Sequence, residues 1–209
     1  MAKDFVLEWR NRSALNGIIL YILMVVFIVF LSFSSVEVKV WNTLFWIILL
    51  FTSVNAIAKS FIQESRSRDI YYYTLASPQA VILAKIIYNI ILMLLLSVIG
   101  LAFYSLILGF PIFHPGVFFL NVFLGAIGFS ITFTMVAAIA SKANNSTALM
   151  AILSFPIFIP MLMVLLNISR LSIEGFETMN LVRNITLLLA IDIVVVTLSL
   201  ILFPYLWRD

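Results

Sequence analysis

The chain has 209 residues, of which 64% are hydrophobic and only 10% charged, with a net charge of +3. A soluble domain is usually about half apolar and a quarter charged, so this composition excludes a water-facing globule, and the same oiliness excludes intrinsic disorder. With no cysteine and one histidine, it also excludes a disulfide framework, a thiolate metal site, a Cys nucleophile and a multi-histidine centre.

Residues 3–15 (KDFVLEWRNRSAL) mix apolar bulk with Asp4, Glu8, Arg10 and Arg12. As a helix they place Phe5, Trp9 and Arg12 on one side, with Trp9 suited to the headgroup region. The segment reads either as an interfacial helix along the cytoplasmic surface or as a basic lead-in to the first span.

Charge-free stretches of about 20 residues, the length of a crossing helix, then follow one another. The first two predicted spans are residues 16–34 and 40–58. Between Lys85 and Lys142 there is no Lys, Arg, Asp or Glu, a run too long for one crossing. The cluster Gly-Phe-Pro-Ile-Phe-His-Pro-Gly at 109–116 stops helices and divides that run into spans 80–108 and 117–141. A fifth span is predicted at 147–168 and a sixth at 184–205. Only helices and closed barrels satisfy their backbone groups in lipid, and runs such as 18–31 lack the alternation of a barrel strand. The expected fold is therefore all-α: one transmembrane domain of six helices with an N-terminal interfacial helix.

Six crossings put both termini on one side. If that side is the cytoplasm, the inside segments hold Lys3, Arg10, Arg12, Lys59, Arg66, Arg68, Lys85, Lys142 and Arg208, and the outside only Lys39, Arg170 and Arg183. The positive-inside rule fixes that orientation. The first apolar run exceeds a signal-peptide core and lacks an A-x-A site, so it reads as a retained helix.

The cytoplasmic loop 59–79 is long for a helix–helix connection, whereas the one at 142–146 is compact. Phe61, Glu64 and Arg68 fall at i, i+3 and i+7, and Arg66 and Ile70 at i, i+4, so a short helix with a mixed-charge face can form there. Tyr71, Tyr72 and Tyr73 make its aromatic back, Ser77-Pro78 marks the turn into the third span, and Lys85 would snorkel to the interface. An interfacial aromatic belt explains each residue type, but loop length favours a docking element for a cytoplasmic partner.

Further along, His114 sits in the external turn, where imidazole could serve as an axial haem ligand or do nothing special. The fourth span is rich in small and hydroxyl residues (Asn121, Gly125, Gly128, Ser130, Thr132, Thr134, Ala137, Ala138, Ser141), a pattern for close helix packing. Pro156 and Pro160, four apart, each remove a backbone donor and predict a kinked or locally broken fifth helix, either a flexing gate or a plain bend. Glu174 and Glu177 fall in the expected external connection 169–183, a contact for an extracytoplasmic partner or a solvated linker. Asp192 is the one ionisable residue well inside a span, ~12 Å along it at 1.5 Å per residue. An unpaired charge there costs roughly 2.5–3.5 kcal/mol on insertion scales, so it should face the bundle or a dimer seam. It reads as a hinge, a proton-linked switch or part of a polar path, or as an acid hydrogen-bonded to Ser, Thr or Asn of another helix.

Catalytic chemistry is missing from the sequence. It has no GxxxxGK[ST], HExxH or GxSxG motif and no paired carboxylates. Any ATP-driven work must come from another chain.

Three features together resemble the CcmB family, the membrane subunit of the ABC-type complex of cytochrome c maturation. They are the six-span layout, the loop FIQESRSRDIYYYTLASPQAVILAKI with Leu83-Ala84-Lys85 at the start of span three, and the fifth-span segment ALMAILSFPIFIPMLMV. Arg68 and Tyr71 depart from the acidic, glycine-containing stretch of relatives. The resemblance implies an ABC-2-type, permease-like homodimer in the bacterial inner membrane, seated on a CcmA-like ABC ATPase subunit. Phe61, Gln63, Glu64, Arg66, Arg68 and Asp69 would form the coupling element. It also implies a CcmC-like haem-handling membrane protein and a CcmE-like periplasmic haem chaperone as partners. Haem would be cargo, ATP would bind the partner, and neither a resident cofactor or metal nor a nucleic-acid partner is expected. The alternative is a structural or assembly scaffold without its own translocation path. An intramembrane enzyme acting on lipid would need more than a solitary Asp192.

Overall fold

Long runs of Leu, Ile, Val and Phe bounded by Pro, Gly and Ser give helices, and in the computed structural model all regular structure among the described residues is helical. The residues described are 12–33, 36–62, 77–140, 146–175 and 178–208. They form α1 (Arg12–Ser32), α2 (Val38–Ile62), α3 (Pro78–Leu108), α4 (Pro115–Ala140), α5 (Ser146–Glu174) and α6 (Thr178–Arg208).

Local chemistry sets several boundaries. Ser77 caps α3, its hydroxyl accepting from the Ala80 N–H at 3.4 Å, and Pro78 fills the first turn, where its missing N–H is no loss. Gly109 ends α3 at φ +80°, a conformation open mainly to glycine. Pro115 starts α4 in the same way that Pro78 starts α3.

The helices depart from expectation in three places. First, five of them are long and apolar enough to cross a membrane, not six; the apolar part of α1, Asn16–Ser32, is 17 residues. Its end comes early because Ser32 turns its hydroxyl back onto the Ile28 carbonyl (2.7 Å) and further serines follow, residues that compete with the helical backbone. Second, α1 begins at Arg12 without a break, so 12–15 belong to it and not to a separate interfacial helix; residues 1–11 lie outside the described set. Third, the expected external connection 169–183 is mostly helix. α5 continues to Glu174 and α6 starts at Thr178, because Arg170 and Glu174 pair at 2.8 Å across one turn and carry the helix past its apolar part.

α4 is the centre of the bundle. It packs against α2, α3, α5 and α6, while α1 lies outside against α2 and α3. Of the apolar stretch of α4, 78% is buried, against 22% for α6. Its glycines set the separations: a Cβ on Gly125 would come within 2.7 Å of the Trp46 ring, and one on Gly128 within 2.7 Å of Asp192 Oδ1. Small residues at such positions let helices close in where lipid offers no hydrophobic drive. Gly100 on α3 differs, because a methyl there would meet Ile22 at an ordinary 3.9 Å, beside a small apolar hollow lined by Ile22, Phe45, Leu96 and Tyr104.

The contrast gives opposite expectations in thermal unfolding of the purified protein. Gly100→Ala should stabilise by roughly 0.5–1 kcal/mol; Gly125→Ala should destabilise by about 1–3 kcal/mol.

Candidate functional site

Polar groups inside the bundle divide into a bonded set and an unbonded set. Several of the bonded groups lie between the middle of the bundle and the end that carries the α3–α4 turn. Trp46 Nε1 donates to Ser169 Oγ (2.8 Å), and Asn121 Nδ2 donates to Ser169 Oγ (2.8 Å) and to the Leu165 carbonyl (2.9 Å). At that end Trp41 Nε1 donates to the Gly109 carbonyl (3.1 Å), Tyr104 donates to the Trp41 carbonyl (2.7 Å), and the His114 N–H donates to the Ser172 carbonyl (3.0 Å). These bonds tie α2, α3, α4 and α5 together.

Aromatic rings reinforce the tie. Trp41 meets Tyr104 at 4.9 Å and Phe118 at 5.8 Å; Phe45 meets Trp46 at 5.5 Å; Trp46 meets Phe129 at 6.1 Å; Phe158 meets Phe129 at 5.4 Å and Phe133 at 4.2 Å. Each such pair adds about 0.5–1.5 kcal/mol beyond area burial. Together they make a column from α2 through α4 to α5.

The unbonded set includes Asp192. This residue is 6% exposed, and its carboxyl lies against Gly128 of α4, where Met161 of α5 also arrives. Neither carboxyl oxygen has a hydrogen-bond partner among the described residues. Asn42 Oδ1, Asn89 Oδ1, Asn121 Oδ1, Ser130 Oγ, Thr132 Oγ1 and Ser199 Oγ are likewise buried without a partner among the described residues. Asn89 is bonded only through Nδ2, to Thr134 Oγ1 at 2.8 Å. An unpaired buried polar group costs roughly 1–3 kcal/mol. Asp192 can sit where it does only because Gly128 lacks a side chain.

The CcmB family's sequence profile, described as CcmB protein, matches residues 1–205. The chain belongs to the CcmB family. No curated protein and no solved structure matches it.

CcmB proteins are permease-type membrane subunits of the haem export and cytochrome c maturation system, generally not catalytic, and work with other components of that ABC exporter. Within this CcmB chain the predicted site residues fall in separate places. Gln63, Glu64, Arg66, Arg68, Asp69 and Glu177 lie outside the described residues, as does the side chain of Phe61, which is in the last turn of α2. α5 runs unbroken through Pro156 and Pro160, and both are on its exposed side. Pro160 precedes Met161, so one proline does adjoin the Asp192 region. His114 and Glu174 share an end of the bundle, both exposed, with Glu174 occupied by Arg170. Among the described residues no three His, Asp or Glu gather as a metal site would require.

Sequence reasoning did not single out Trp46, Ser169, Asn89 or Ser199. A signal existed for Trp46, whose indole N–H, eight residues beyond Val38 in an apolar helix, must find a partner. Trp46→Phe should lower unfolding stability by about 1–3 kcal/mol, measured in detergent, with the far-UV helical signal unchanged.

Proposed function

We propose that this CcmB-family chain is the non-catalytic membrane subunit that couples ATP hydrolysis by a separate CcmA-like ABC ATPase to haem or haem-chaperone handling. The observation that carries the reading is the family match over residues 1–205. The chain has no phosphate-binding loop of its own, so the motor is a partner. Its place is the bacterial inner membrane, both termini cytoplasmic; the Lys and Arg bias toward the end with the termini supports that orientation.

Coupling is assigned to the connection between α2 and α3. Phe61, in the last turn of α2, and Gln63, Glu64, Arg66, Arg68 and Asp69 after it would be gripped by the ATPase, two copies of the chain sitting over two of the motor. A CcmC-like membrane protein and a CcmE-like periplasmic chaperone are the further partners, with His114, Glu174 and Glu177 at the opposite end for extracytoplasmic contact. Pro156, Pro160 and Asp192 are the hinge and polar residues of the bundle on this reading, and haem is cargo and not a resident group.

The filled centre of the bundle favours one second reading. α4 occupies the middle with its neighbours closed on it, which also suits a scaffold that joins other membrane subunits without a path of its own. Exchanging the charges of the coupling segment, Glu64→Arg with Arg68→Glu, separates the two. On the coupling reading, the variant still inserts but retains the ATPase at least about tenfold more weakly, ~1.4 kcal/mol, and cytochrome c assembly is lost. Unchanged ATPase retention and full assembly activity would remove the coupling role.

A further inference from the structure

Proline has no N–H, so Pro156 leaves the Ile152 carbonyl, and Pro160 the Pro156 carbonyl, without the donor that an α-helix supplies four residues on. α5 runs unbroken through both positions. Ile152, Pro156 and Pro160 are all exposed, so the two freed carbonyls open onto the outside of the bundle. Pro156 falls midway in sequence between Lys142 and Arg170, the nearest charged residues on either side, which sets it near the bilayer centre. Water does not reach a lipid-facing surface at that depth, and a carbonyl left there without a donor is strongly disfavoured.

The same face continues as one stripe. Pro156, Pro160, Met163 and Asn167 follow one another at spacings of four, three and four, and all four are exposed. Such spacing lines residues up along one side of a helix. Phe155 and Ile159 flank the stripe and are exposed too. Asn167 adds an amide, with donors and an acceptor, ~16.5 Å beyond Pro156 at 1.5 Å per residue.

Exposed polar side chains on other helices are self-contained. Thr43, Thr186 and Thr197 turn their hydroxyls onto the carbonyls of Lys39, Val182 and Ile193, and Asn55 turns its amide onto that of Phe51, each four residues back. Those faces suit lipid. The α5 face differs, because its carbonyls need donors that its own prolines cannot give.

A second copy does not supply them. Two copies in one bilayer share an orientation, so a two-fold contact sets α5 against α5 at equal depth. Around the freed carbonyls such a contact offers Phe155, Ile159, Pro160 and Met163, none of which carries a side-chain donor. The occupant must bring donors of its own.

We propose that this face of α5 seats a transmembrane helix from a different membrane subunit. That helix carries Ser, Thr, Asn or Gln near its middle, donates to the Ile152 and Pro156 carbonyls, and packs along Pro160, Met163 and Asn167. Interhelical bonds of this kind join helices where lipid removes the hydrophobic drive. The assignment rests on the chain's being one subunit of a membrane complex, and not on which segment meets the ATPase.

The absence of cysteine from the chain makes a direct test available. Met163→Cys is spin-labelled as the sole thiol of the full-length chain in lipid vesicles, alone and after reconstitution with the other membrane subunits of its complex. Collision with oxygen, which dissolves in lipid, and with a water-soluble nickel chelate reports what covers the label. Oxygen collision is expected in the chain alone and its loss in the complex, with no gain of nickel collision. Persistent oxygen collision would mean that lipid covers the face, nickel collision that water does, and dipolar coupling between labels that a second copy does. Each of these overturns the proposal. A second arm, Pro156→Ala with Pro160→Ala, restores both missing N–H groups. The isolated variant should melt about 2–4 °C higher. In the complex it should hold the other membrane subunit at least about tenfold more weakly, because that subunit's donors have lost their acceptors. No rise in melting temperature, or undiminished retention, likewise overturns the seat. Neither arm reads retention of the ATPase, so failure here is separate from failure of the coupling role.

Discussion

The structure depends on a helix that never meets lipid over most of its length. α4 is surrounded on four sides, and everything else is placed by how closely it can approach α4. Within a bilayer, apolar side chains gain nothing by leaving lipid for protein, so contact distance and interhelical hydrogen bonds decide the arrangement. Gly125 admits the Trp46 ring and Gly128 admits Asp192 and Met161. Asn121 and Thr134 then bond outward to α5 and α3. A larger residue at either glycine would separate helices that these bonds hold together.

Two kinds of contact follow from that arrangement. In the α2–α5 body the indoles of Trp41 and Trp46 and the Tyr104 hydroxyl find partners, and the rings touch in a continuous series. Buried oxygens without a partner among the described residues run through the bundle, on α2 (Asn42), α3 (Asn89), α4 (Asn121, Ser130, Thr132) and α6 (Asp192, Ser199) alike.

Much of this architecture was legible in the sequence. Charge-free runs located the spans, the Gly-Pro cluster at 109–116 located the α3–α4 turn, and Ser77-Pro78 located the start of α3 because capping chemistry is local. The small residues of α4 announced close packing for the same reason. The continuation of α5 to Glu174 was not legible, since Arg170 and Glu174 read as loop charges until their helical pairing is seen. The shortness of α1 was hidden too, because no charge interrupts the run before Glu37. The surroundings of Asp192 needed the register of α4 against α6, and the bond from Trp46 to Ser169 joins residues 123 apart. Neither is encoded in local spacing. The coupling residues 63–69 rest on sequence and family alone.

Only residues 175–177 separate α5 from α6, and α5 is held just before them where the His114 N–H donates to the Ser172 carbonyl. So short a link keeps the first turn of α6 beside the last turn of α5, and a substitution that displaces the end of α5 carries the start of α6 with it.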